Sequence, residues 1–121
     1  MTRAGRTIFV FGIYLIATGL LFFVTPNTLL GLLRVAPTTE PWIRVLGVVA
    51  GVLGAYYVTA ARAELIAFFR ATLWGRAGVL LAFLLLVVLH LAPPILIAFG
   101  LIDAAGALWT ITALRPARGA A

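Results

Sequence analysis

A chain of 121 residues with 64% hydrophobic and 10% charged side chains, and a mean hydropathy of +1.21, is too apolar for a water-soluble domain, where about a quarter of residues carry charge. The absence of cysteine excludes disulfides, thiol redox chemistry and iron–sulfur ligation. The nine basic residues are all arginine, against Glu40, Glu64 and Asp103, for a net charge of +6. They stand at the ends of apolar runs rather than on one polar face, which argues for membrane orientation and anionic lipid contact and against nucleic acid.

In chain order, the first span is expected over about residues 7–24, after Arg3 and Arg6. It is long enough to cross a bilayer and no small-x-small site precedes "VTPNT", so it reads as a retained helix rather than a signal peptide. "TLLGLLRVAPTTEPW" is too short and interrupted to span; a brief interfacial helix is expected over about residues 27–34. Thr39 or Glu40 is expected to cap the second span, about residues 42–61, with Pro41 in its first turn. Glu40 and Arg44, four apart, are expected to form a surface ion pair. "RAELIAFFRATLWGR" is either a separate interfacial helix over about residues 63–74 or a downward extension of the third span, about residues 77–91, whose shortness favours extension. Pro93 and Pro94 break the apolar stretch, and the fourth span covers about residues 94–114 before the basic tail "RPARGAA", expected to be disordered.

The fold class expected is all-α: one transmembrane domain, an integral membrane four-helix bundle with short loops. With a cytoplasmic N-terminus, Arg3, Arg6, Arg62, Arg70, Arg76, Arg115 and Arg118 lie inside and only Arg34 and Arg44 outside, so both termini are expected in the cytoplasm.

Candidate functional residues fall into three groups. Asp103, near mid-bilayer, and His90, just before the Pro-Pro turn, are placed to converge as an intramembrane polar pair, with Arg44 as a longer-reach alternative. Gly47, Gly51 and Gly54 on the second span and Gly100, Asp103, Ala107 and Thr110 on the fourth form stripes expected to pack on each other, or else to form a dimer face. Arg62, Arg70, Arg76, Trp42 and Trp74 are expected at lipid head groups, and Tyr14, Tyr56 and Tyr57 in the aromatic belt. No metal-ligand spacing, phosphate loop or nucleophile-base pair is present in the sequence, so no metal, cofactor or catalytic residue is expected.

"WIRVLGVVAGVLGAYYVTAARAELIAFFRATLWGRAGV" has an arginine at the head of its helix, a glycine-rich run, an "AAR" exit and further arginines before the next span. It resembles the small DoxX-like and BphX-like four-helix membrane proteins. The resemblance covers about a third of the chain and implies four helices with both termini cytoplasmic. The function expected is that of a non-enzymatic accessory or scaffolding subunit in a bacterial inner membrane, in contact with lipid and with other membrane proteins or a second copy. The alternative is a binder or carrier of a lipophilic molecule or proton through Asp103 and His90.

Overall fold

The computed structural model describes residues 1–115; the basic tail from Pro116, with Arg118, lies outside the described residues. Within them the chain forms five α-helices and no strand: α1 (Arg3–Val24), α2 (Pro26–Leu32), α3 (Trp42–Arg62), α4 (Ile66–Val88) and α5 (Ile95–Leu114). All but α2 are long and apolar enough to cross a membrane.

Two helices differ from the expected boundaries for local reasons. Helix α1 begins at Arg3, four residues before the expected start at residue 7, because Thr2 caps it: the Thr2 hydroxyl accepts from the Gly5 backbone N–H at 3.0 Å. Of the two readings of residues 63–74, the favoured one, a downward extension of the third span, is the one found: from Ile66 the segment is the first half of a continuous α4. Nothing after Leu65 interrupts helical geometry, and Gly75, within it, costs a helix only about 1 kcal/mol relative to alanine.

Three of the helices stop by one device. Arg34, Glu64 and His90, which follow α2, α3 and α4, have φ of 57°, 53° and 59°. At each stop the left-handed residue donates its N–H to a carbonyl three back (Gly31, Ala61, Val87), and the next donates five back (Leu30, Ala60, Leu86). These paired bonds satisfy the last-turn carbonyls that a helix end otherwise leaves open. None of the three residues is glycine, so each stop is held against a steric preference that glycine would lack.

The described residues divide into two compact units, Phe9–Thr59 and Met1–Ile8 with residues 60–115. In the first, α1 and α3 run antiparallel and meet through glycines. A Cβ built at Gly19 would stand 2.5 Å from the Gly47 carbonyl, and one at Gly54 would stand 2.6 Å from the Gly12 carbonyl. Gly12 to Gly19 and Gly47 to Gly54 are each seven residues apart, so the two backbones touch once per heptad along one seam. Phe11 packs between Tyr14 and Tyr57, with centroids 5.5 Å apart in each pair. Tyr57 is buried there, while Tyr56 stands exposed.

In the second unit α4 packs on α5. Gly100 on α5 admits Leu80 and Phe83 of α4, and Phe69, Thr72 and Arg76 form the buried stripe of α4. The stripe of α5 holds Gly100, Ala107 and Thr110, all buried, with Asp103 half-buried between them. The expected pairing of the second-span and fourth-span stripes is therefore replaced: Gly47 and Gly54 take α1, and Gly100 takes α4. Gly51 differs from its neighbours, since a Cβ built on it meets nothing within 4 Å.

Candidate functional site

The most concentrated polar chemistry inside the helices surrounds Arg76. Helix α4 starts at Ile66, so Arg76 stands ten residues in, about 15 Å along the axis. It is only 2% exposed. The expectation of a head-group contact at Arg76 is thereby corrected: because α4 begins eleven residues before the expected span, Arg76 shares the inward stripe of Phe69 and Thr72.

Its guanidinium organises three threonines on three helices. Nη2 donates to the Thr72 hydroxyl at 2.8 Å and the Thr110 hydroxyl at 3.1 Å, and Nε donates to the Thr72 carbonyl at 3.3 Å. The Thr110 and Thr7 hydroxyls lie 2.8 Å apart, and Thr72 donates to the Phe69 carbonyl at 2.7 Å. A hydroxyl has one proton. Thr110 and Thr7 each also face a carbonyl of their own helix, Gly106 at 3.1 Å and Ala4 at 2.7 Å, so one hydroxyl donates across the 2.8 Å contact and the other donates to its own carbonyl.

Asp103 is the carboxylate of this region, and the charge that acts on it is the Arg76 guanidinium. The expected partner of Asp103 is His90. His90 instead occupies the left-handed position that closes α4, with its side chain exposed. Among the described residues no hydrogen bond or ion pair joins it to Asp103. The reason is backbone geometry: convergence on Asp103 requires His90 to be helical, whereas it lies past the end of α4 in the turn.

Arg44 is also engaged elsewhere. It donates from Nη1 to the Phe23 carbonyl in the last turn of α1, where an unsatisfied carbonyl and the negative helix end favour a cation. Among the described residues no ion pair links it to Glu40; the Glu40 backbone N–H donates to the Thr38 hydroxyl at 3.0 Å. Arg62, Arg70, Trp42 and Trp74 are all exposed.

Glu64, not singled out in the sequence, holds the chain's beginning to the α3–α4 turn. It accepts from the Thr2 hydroxyl at 2.7 Å and the Thr2 backbone N–H at 2.8 Å. Gly5 leaves the room: a Cβ there would stand 2.6 Å from the carboxylate. The hydroxyl bond first, and the backbone bond second, hold the Glu64 carboxyl below its ordinary range. A depressed folded-state value means that this stabilisation is complete above the unfolded value and is lost as pH falls through the folded one. Thermal unfolding of the wild type is therefore expected to weaken below about pH 4.5 more steeply than that of Glu64→Gln. Parallel acid slopes for the two proteins would mean that the clamp contributes nothing.

What the second unit presents is a cation and hydroxyl cluster that ties α1, α4 and α5 together, flanked by one carboxylate on α5. Comparison of the chain with known protein families, with curated proteins and with solved structures finds no match to any of them.

Proposed function

We propose that this is a non-enzymatic accessory or scaffolding subunit of a bacterial inner-membrane complex, a four-helix protein with both termini in the cytoplasm. The observation that carries the reading is the division of its chemistry. Two arginines of the helices are engaged by the chain itself, Arg76 by Thr72 and Thr110 and Arg44 by the end of α1. Aliphatic side chains on every long helix face outward, among them Leu20, Val48, Val52, Leu81, Leu85, Leu101 and Leu108. A surface of that kind acts by lateral packing in the plane of a membrane, where close van der Waals fit drives helix association. The likeness of residues 42–79 to DoxX-like proteins and the arginine asymmetry support the four-helix topology and the orientation.

Extraction from native membranes in mild detergent, followed by mass spectrometry of everything that stays bound, tests it. A stoichiometric membrane-protein partner is expected. A solitary protein carrying a defined lipophilic molecule other than a membrane phospholipid would overturn the reading in favour of a binder built around Asp103.

A further inference from the structure

The start of α4 and the end of α5 come together at an open groove of about 420 Å³, lined by Arg70, Leu73 and Trp74 on one side and Ile111, Leu114 and Arg115 on the other. Its volume lies within the range of about 300 to 1,000 Å³ typical of small-molecule sites. Two features make it more than an apolar crease. Arg70 stands on α4 and Arg115 caps the end of α5, both exposed, and no acidic residue is among the described residues lining it. Glu64, the acid nearest to Arg70 in sequence, is engaged by Thr2.

We infer that this groove binds an anionic phospholipid of the surrounding leaflet, its phosphate held between Arg70 and Arg115 and the start of its acyl chain laid on Leu73, Ile111 and Leu114. The charge complementarity is that of guanidinium with phosphate, which the planar fork of arginine can meet with two parallel bonds. The depth fits as well. Leu73 and Ile111 lie three and four residues from the arginines of their own helices, about 5 to 6 Å further along the axis. The charged rim therefore sits at head-group level when the apolar floor sits at the top of the hydrocarbon. Trp74, 84% exposed and next to Leu73, has the amphipathic ring favoured at the boundary between head groups and hydrocarbon. Arg70 stands on α4 and Arg115 directly follows α5, so a phosphate between them also bridges the start of α4 to the end of α5.

The inference does not rest on the accessory-subunit reading and is tested separately. The full chain in mild detergent is titrated with phosphatidylglycerol and with phosphatidylcholine of the same acyl chains, and bound lipid is read by native mass spectrometry. Phosphatidylglycerol is expected to bind about tenfold more tightly or better. Arg70→Gln/Arg115→Gln is expected to lose that preference, while Arg3→Gln/Arg6→Gln, with the same charge loss elsewhere, keeps it. Should the first pair unfold, Ile111→Trp fills the groove with both arginines in place and must itself lose the preference. Equal binding of the two lipids overturns the site, as does equal loss in the control pair. Displacement by excess inorganic phosphate would overturn it too, as a site for free anions rather than lipid.

Discussion

Gly19→Ala is expected to destabilise the protein by about 2 to 3 kcal/mol, while Gly51→Ala on the facing helix leaves stability unchanged or raises it by up to about 1 kcal/mol. At Gly19 a new Cβ would stand 2.5 Å from the Gly47 carbonyl and 2.7 Å from the Gly51 nitrogen. Both are backbone atoms of α3, so no rotamer change relieves the clash and the helices must separate. Separation at Gly19 also loosens Gly12 on Gly54, two turns along the same seam, because an α-helix transmits the shift as a rod. At Gly51 the new methyl meets nothing, and alanine replaces the poorest ordinary helix former with the best. Unfolding by denaturing detergent in mixed micelles measures both. If the two variants unfold alike, backbone contact is not what holds α1 on α3.

Arg76→Met is expected to cost about 2 kcal/mol, and Asp103→Asn in the same chain to restore most of it. Methionine keeps much of the buried volume, and Thr72, Thr110 and Thr7 each retain a carbonyl of their own helix as acceptor, at Phe69, Gly106 and Ala4. The hydroxyls are therefore not stranded when the guanidinium leaves. What is stranded is Asp103, which loses the cation that acts on it. Leaving one charge of a fully buried pair costs about 3 to 5 kcal/mol; Asp103 is half-buried, hence the smaller figure. The same detergent titration decides it. A neutral Arg76→Met would mean that Arg76 acts by volume alone, and a costly one without rescue would place its contribution in the threonine bonds.

The seam and the cluster were legible to different degrees. Gly47 and Gly54 were visible as a packing stripe on the second span, yet their partners are Gly12 and Gly19 on the first. The matching interval of seven residues on both helices was the available signal, and it is easily passed over because two glycines in eight residues are ordinary in apolar segments. Arg76 was misplaced by a boundary. A span begun at residue 77 leaves it at the head groups, and a helix begun at Ile66 carries it inside. His90 was misplaced by backbone geometry, since a left-handed helix stop at a residue other than glycine has little sequence signature.

The sequence by itself determined how many long apolar helices there are and that the chain turns at "TPN" and "APP". Those properties depend on local quantities: the length of an apolar run, the turn chemistry of "TPN" and "APP", and the arginines at its ends. Only the tertiary structure decided which helix faces which, and so which ionisable groups meet. On apolar helices of this kind every face is aliphatic, and the choice of partner falls to a few glycines and to one arginine, where ångström-scale fit and helix register, rather than composition, select the contact.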